Sequence, residues 1–213
     1  MKLALVETVK RHWKLYHLAE PEFAFLYDAP PAGEWVTIDC ETTGLNVHRD
    51  EIISVGAVRI VGNRLMTSER LELLIRPERE ISADAVKIHQ LRERDVATGM
   101  EPTAAMRRLL HFIGSRPLVG YYLEFDVAML NKEIFRLLGV KLPQPTIEVS
   151  AMYYDYRNRQ LPPHERGTAQ IDLRFNTMMN DLKLPMREAH DAINDAVMAG
   201  LAFVKLRRLL EAG

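Results

Sequence analysis

The chain has 213 residues, of which 47% are hydrophobic, and its formal net charge is −1. A chain of this length can bury one sizeable core, but a charge so near zero excludes a protein that coats duplex nucleic acid through a general positive field. Its single cysteine excludes an intramolecular disulfide and a cysteine-rich zinc site, and its charged start predicts a cytoplasmic protein without a signal peptide or membrane span.

Hydrophobic periodicity predicts the elements in chain order. Residues 2–19 have amphipathic helical spacing, and 1–33 are predicted to form an N-terminal helical extension that ends in "DAPPAG". Three strands follow, in "EWVTIDC", "EIISVGAVRIVGNRL" and 69–76, as an antiparallel meander. Further on we expect helices at 82–91, 102–114, 126–139, 171–183 and 191–211, short strands at 117–121 and around 145–151, and mostly loop at 153–170. This order predicts an α/β fold whose mixed sheet has helices on both faces.

The first candidate site is the Asp-x-Glu pair Asp39 and Glu41, which ends the first strand. Residues i and i+2 of a strand share a face, so the two carboxylates point together and repel each other unless a cation lies between them. Mg²⁺ and Mn²⁺ prefer such oxygen ligands. The pattern alone is also expected about once by chance in this composition.

Two later segments carry further candidates. Asp126 opens a predicted helix after a short strand, where an acid often serves only as a helix cap. In "EAHDAINDAVMAG", Asp191 suits the cap position, Asp195 lies in the first turns, and His190 precedes the helix. A histidine there can reach the site that Asp195 faces, or it can be an ordinary surface residue.

In this order, "DCETTGL", "YYLEFDVAML" and "HDAINDA" resemble the three motifs of the DEDDh, or DnaQ-like, 3′–5′ exonuclease family, which includes the proofreading epsilon subunit of bacterial DNA polymerase III. The segment "ISADAVKIHQL" resembles the family's stretch ending in Ile/Val-His-Gly. The resemblance runs from Glu34 to Leu206, so residues 34–213 are predicted to be the exonuclease domain. The His-x4-Asp spacing is that of the histidine branch of the family.

The resemblance implies a ribonuclease H-like fold with a five-stranded mixed sheet flanked by helices. It implies that Asp39, Glu41, Asp126 and Asp195 hold two divalent cations, Mg²⁺ or Mn²⁺, and that His190 is the general base. It also implies substrate-binding roles for Thr42, Thr43, Gly44, Leu45, Asp84 and His89.

The sequence departs from the family most clearly before Asp126. Tyr121, Tyr122 and Leu123 stand where the family usually has His-Asn-Ala, and Gln90 stands where it commonly has Gly. The two tyrosines could bind substrate, with Tyr122 stacking on a base, or they could only complete the core.

The predicted function is metal-dependent 3′–5′ hydrolysis of single-stranded DNA ends, which releases nucleoside 5′-monophosphates. The alternatives are an oligoribonuclease-like enzyme that acts on RNA and a non-catalytic nucleotide-binding module of the same fold. The predicted partner is a single-stranded nucleic acid 3′ end, and the N-terminal helix is a candidate surface for a protein partner. The sequence leaves the oligomeric state open.

Overall fold

The computed structural model of the chain describes residues 15–187 and 190–212. Its single sheet has five strands, β1 (Glu34–Thr42), β2 (Ile52–Val61), β3 (Arg64–Leu74), β4 (Leu118–Gly120) and β5 (Thr146–Glu148), in the order β3-β2-β1-β4-β5. The β1–β2 and β2–β3 pairs are antiparallel, whereas the β1–β4 and β4–β5 pairs are parallel. The predicted meander and the five-stranded mixed sheet are therefore confirmed.

Helices cover both faces of this sheet. They are α1 (Ala83–His89), α2 (Glu93–Val96), α3 (Pro102–Ile113), α4 (Leu123–Leu138), α5 (Val149–Gln160), α6 (Phe175–Asp181) and α7 (Ala192–Glu211). One core cluster joins α3 and α4 to β1 residues such as Val36 and Ile38, and a second joins α5, α6 and α7 to Ile60 and Val119. Among the described residues, no helix is long and apolar enough to cross a membrane.

The prediction of mostly loop at 153–170 is wrong for its first half, which belongs to α5. Contacts with the rest of the fold hold this helix. Glu148 caps its start by accepting a hydrogen bond from the Ser150 amide (3.0 Å), and the Tyr153 and Arg157 side chains both donate to Asp181. The residues between α5 and α6 form no helix or strand, and α6 is shorter than the predicted 171–183 helix.

The described part of the segment before β1 packs against α3. A 3-10 helix (Pro21–Tyr27) buries Phe23 and Leu26, and the Phe23 ring lies 5.2 Å from the His111 ring between centroids. Arg107 of α3 forms ion pairs with Glu20 and with Glu22. Most of the helix predicted over 2–19 lies outside the described residues, and the boundary at residue 33 stays a prediction.

The sheet topology determines where a site can form. Because β1, β4 and β5 are parallel to one another, their carboxyl ends meet at one edge of the sheet. The end of β1 carries Asp39 and Glu41, the turn after β4 leads into α4 with Asp126, and β5 ends at Glu148. Four acids from distant parts of the sequence therefore gather at this edge.

Candidate active site

Strand β1 presents its two acids on the face of the sheet that α7 covers. Val36, Ile38 and Cys40 point into the core on the α3–α4 side, so Asp39 and Glu41 project to the opposite side. Both side chains are partly buried. The pleat of one apolar strand thus aims two carboxylates at the start of α7.

Helix α7 approaches the sheet closely because small residues line the contact. Gly56 lies opposite Asp39 in the β1–β2 pair, and a Cβ at Gly56 would lie 2.3 Å from the Ala192 backbone. Farther along, the Thr37 hydroxyl donates a buried hydrogen bond to the Ala196 carbonyl oxygen (2.7 Å). This close packing carries Asp195, in the first turn of α7, to the acids of β1.

Asp39, Glu41 and Asp195 form a group of potential metal ligands. One oxygen from each carboxylate lies within 4.8 Å of the other two. Carboxylate oxygens are the donors that Mg²⁺ and Mn²⁺ prefer. The donor set and its spacing therefore fit the divalent cations that the sequence predicted.

Asp126 lies outside that group of three but is electrostatically linked to it. Burial raises the pKa of its carboxyl well above the ordinary value, and the charges of Glu41, Glu148 and Asp195 act in the same direction. A hydrogen bond from the Cys40 amide opposes this shift. Asp126 is 5% exposed. The structure thus brings the fourth predicted carboxylate beside the other three.

The electrostatics of the cluster are those of acids that lack a counterion. Burial raises the pKa of Asp39 well above its ordinary value, and the charges of Asp126, Asp195, Glu41 and Asp191 raise it further. Burial, followed by the charges of Asp195 and Asp191, raises the pKa of Glu41 to about 7. Burial also raises the pKa of Asp195, although the amide and the charge of His190 oppose this. A bound cation would relieve each of these penalties.

His190 lies directly before α7, as the sequence predicted. Its backbone is left-handed (φ 63°), its amide donates to Asp195 Oδ2 (2.9 Å), and its side chain is exposed. The same residue lines a cavity of about 470 Å³ together with Glu41, His89 and Asp191. His190 therefore borders a cavity that Glu41 of the carboxylate cluster also lines.

A second cavity, of about 590 Å³, lies on the other side of Glu41 and His89. Its lining includes five of the predicted substrate-binding residues, namely Thr42, Gly44, Leu45, Asp84 and His89. Leu45 is 81% exposed at the rim. The volume falls in the range of small-ligand sites, and we call this space the terminal cavity.

His89 lines both cavities, and the protein surrounds both of its ring nitrogens. Its Nδ1 accepts a hydrogen bond from the Leu91 amide (3.0 Å), so the neutral ring carries its proton on Nε2. Nε2 is buried and makes no hydrogen bond of normal geometry, although the Thr42 carbonyl oxygen favours a proton there. Burial lowers the pKa of His89. The ring is thus neutral, and the protein encloses its Nε2 donor.

Two other predicted substrate residues have partners within the protein. The Thr43 hydroxyl donates to Asp50 (3.3 Å) and accepts from the Glu51 amide (3.0 Å), and its side chain is buried. The structure therefore gives Thr43 a part in holding the loop after β1, and it is not among the residues of the terminal cavity. Asp84 lines the cavity, but it also forms an exposed ion pair with Lys87 (2.8 Å).

The tyrosine pair before Asp126 divides into one packed and one exposed ring. The Tyr121 hydroxyl donates to the Leu173 carbonyl oxygen (3.0 Å), and its ring packs against Phe175. Tyr122 is 67% exposed and does not belong to the terminal cavity.

Sequence analysis missed two residues of this region. Glu148 accepts hydrogen bonds from the Tyr122 and Leu123 amides as well as from Ser150, so it ties the starts of α4 and α5 together. The sequence did signal Glu148, because this acid ends a strand and precedes a serine by two residues. Ile88 lines the terminal cavity and is 48% exposed. An apolar residue between Lys87 and His89 was its signal.

Comparison with known proteins connects this geometry to a family. Residues 36–203 match the exonuclease family. The chain belongs to the exonuclease family. The predicted resemblance to DnaQ-like exonucleases and the predicted enzyme class are thereby confirmed.

Its relatives in the exonuclease family include subunits of DNA polymerase III. The chain is 26% identical to a DNA polymerase III PolC-type protein of Thermotoga maritima, over 84% of this chain and 14% of that protein. It is 30% identical to a DNA polymerase III subunit epsilon-like protein of Rhodobacter capsulatus, over 84% of this chain and 24% of that protein. For the DNA polymerase III subunit epsilon of Buchnera aphidicola the identity is 29%, over 79% of this chain and 72% of that subunit. The chain thus spans less than a quarter of the length of the first two relatives.

Solved exonuclease structures share the fold. The zinc-bound form of the E. coli ExoI–ssDNA complex superposes with a TM-score of 0.69 at 17% identity, over 85% of this chain and 43% of that one. Exonuclease X in complex with 5′ overhanging duplex DNA gives 0.59 at 22% identity, over 82% of this chain and 91% of that one. The predicted ribonuclease H-like architecture is confirmed.

Proposed function

We propose that the chain is a metal-dependent exonuclease that removes nucleoside 5′-monophosphates from the 3′ end of single-stranded DNA. The observation that carries this proposal is the convergence of Asp39, Glu41 and Asp195, with one oxygen of each within 4.8 Å of the others. Glu41 of this group lines two open cavities. The structures with a similar fold include a complex of ExoI with single-stranded DNA.

The carboxylates are proposed to hold two divalent cations, Mg²⁺ or Mn²⁺. The family resemblance predicts Asp126 as the fourth ligand, and four negative charges would balance two such cations. When bound, the cations neutralise the phosphodiester charge and lower the pKa of the attacking water. Burial and mutual repulsion raise the pKa values of the four acids, and these two effects are the physical reason why the site favours cations.

The residues of the chain position the strand and move the proton. The terminal nucleotide is proposed to occupy the terminal cavity, where Leu45 and Ile88 offer apolar surface to its base and His89 forms part of the wall. Water then attacks the phosphorus, the bond from phosphorus to the upstream 3′ oxygen breaks, and solvent protonates that oxygen. His190 is proposed to take the proton of the attacking water, a contribution typically of about 10²- to 10⁴-fold in rate.

The decisive experiment follows degradation of 5′-labelled and 3′-labelled strands of DNA and RNA, with Mg²⁺, with Mn²⁺ and with chelator. We expect a ladder that shortens from the 3′ end of DNA only when the cation is present. Faster loss of the RNA strand would instead assign the oligoribonuclease-like alternative, since the 2′-hydroxyl is the group by which a protein distinguishes RNA from DNA.

Matched variants exclude a contaminating nuclease. Asp39→Asn should abolish cleavage, whereas Asp155→Asn, at an exposed acid on α5, should cleave like the wild type. Equal activity in the wild type and Asp39→Asn would refute the proposal. Strand binding without cation-dependent cleavage by the wild type would favour the non-catalytic alternative.

A further inference from the structure

Tyr122 is an aromatic side chain that the fold leaves uncovered. Its side chain is 67% exposed, while the neighbouring Leu123 is buried. A large apolar ring gains little stability in such a place. Core packing therefore does not account for this ring.

The backbone at Tyr122 is strained for a residue of its type. It adopts a left-handed conformation (φ 53°, ψ 32°) at the residue that caps α4. Glycine and asparagine adopt this region readily, whereas a bulky residue does so at a cost. If Tyr122 served only to end the preceding strand, glycine or asparagine would adopt this backbone conformation at lower cost. Strain of this kind persists where the surroundings enforce it, and it concentrates at functional sites.

Neighbouring groups fix the ring and its backbone. Glu148 accepts a hydrogen bond from the Tyr122 amide (3.2 Å) with one oxygen and from the Leu123 amide (2.9 Å) with the other. The Tyr121 ring contacts the Tyr122 ring edge-to-face, with 4.7 Å between centroids and 78° between planes. Because Tyr121 is itself anchored through its hydroxyl to Leu173, the exposed ring rests on a rigid support.

The backbone of Tyr122 is also linked to the carboxylate cluster. Tyr122 precedes Asp126 by four residues at the start of α4, and Glu148, its hydrogen-bond partner, is close enough for its charge to raise the pKa of Asp126. Yet Tyr122 is not part of the terminal cavity. A strand that places its last nucleotide in that cavity would therefore meet this ring with a different nucleotide.

We propose that Tyr122 stacks on an unpaired base upstream of the terminal nucleotide and thereby selects a flexible single strand. This inference rests on the proposed function, because it presumes that a nucleic acid strand occupies the site. Stacking needs only the face of a base, so it tolerates any sequence but requires that the base be unpaired.

The test removes one base at a time from the substrate. Oligothymidylates that carry a single abasic nucleotide at successive positions upstream of the 3′ end are compared by the rate of the first cleavage, for the wild type, Tyr122→Asn and Tyr122→Phe. The wild type should lose about 5- to 150-fold in kcat/KM at one of these positions, the range expected for one stacked base. On the intact strand, the kcat/KM of Tyr122→Asn should be lower than that of the wild type by a similar factor. Removal of that base should not lower the kcat/KM of Tyr122→Asn any further.

The two variants separate stacking from other roles. Tyr122→Phe keeps the ring and should behave like the wild type, and Tyr122→Asn should melt no lower than the wild type because asparagine suits the left-handed backbone. Equal sensitivity of the wild type and Tyr122→Asn to base removal at every position would overturn the inference, as would a Tyr122→Phe variant as impaired as Tyr122→Asn. A wild type that degrades no strand at all would instead overturn the proposed function, and this inference with it.

Discussion

Glu41→Gln in the metal-free protein gives the most direct test of the carboxylate cluster. Burial and the charges of Asp195 and Asp191 raise the pKa of Glu41 from its ordinary 4.5 to about 7. Between pH 4.5 and about pH 7, the folded state therefore holds a proton on Glu41 that the unfolded state has released. The stability that this proton contributes is fully present below about pH 4.5 and is lost as the pH rises through about 7.

The difference between 4.5 and about 7, at about 1.36 kcal/mol per pKa unit, corresponds to about 3 kcal/mol of unfolding free energy. For a chain of 150–250 residues this amounts to about 6–12 °C in melting temperature. Glutamine at position 41 stays neutral at every pH, so the variant should lose less stability than the wild type between pH 5 and pH 8. Because the Glu41 charge also raises the pKa of Asp39, the substitution relieves that group as well.

The assay is urea or thermal unfolding of metal-free protein across this pH range, repeated with saturating Mn²⁺. At pH 8 the cation should raise the unfolding free energy of the wild type by about 2.7 kcal/mol when its concentration is one hundred times Kd. The same concentration should raise the unfolding free energy of Glu41→Gln by less. Glu93→Gln, at an exposed acid in the first turn of α2, is the control that should follow the wild type. Identical pH dependence in the wild type and Glu41→Gln would show that Glu41 does not belong to a repelling cluster.

Three further substitutions test how the rest of the site is built. His190→Ala should lower turnover on DNA by about 10²- to 10⁴-fold while the affinity for Mn²⁺, measured by calorimetry, stays that of the wild type; a large loss of affinity would contradict the role of general base. Gly56→Ala forces a Cβ against the Ala192 backbone, so we expect a loss of about 1–3 kcal/mol in unfolding free energy together with reduced activity. An unchanged urea midpoint in this variant would contradict the close packing of α7 on β2. Glu148→Ala leaves the amides at the start of α4 without their acceptor, at a cost of about 1–3 kcal/mol; kcat should fall because Asp126 loses its support, and full activity would show that Glu148 has no positioning role.

The sequence by itself determined the family, the pairing of the two acids on β1 and most of the architecture. The Asp-x-Glu pair at the end of an apolar strand required both carboxylates to share a face, and the pleat of β1 places them so. Strand periodicity predicted the meander, and the ordered motifs predicted the family to which residues 36–203 belong. These features are local, because each depends on spacing along a few residues.

Only the tertiary structure decided what depends on contacts between distant segments. Helix α5 forms where loop was predicted because Glu148 caps it and Asp181 binds its side chains. Thr43 points into its own loop because Asp50 and Glu51 supply its partners. Burial raises the pKa of Glu41, and so do the charges of Asp195 and Asp191, which α7 can bring to β1 because Gly56 has no side chain at the contact. Spacing along the chain specifies which groups are present, whereas their partners, burial and charge state follow from the packing of elements far apart in sequence.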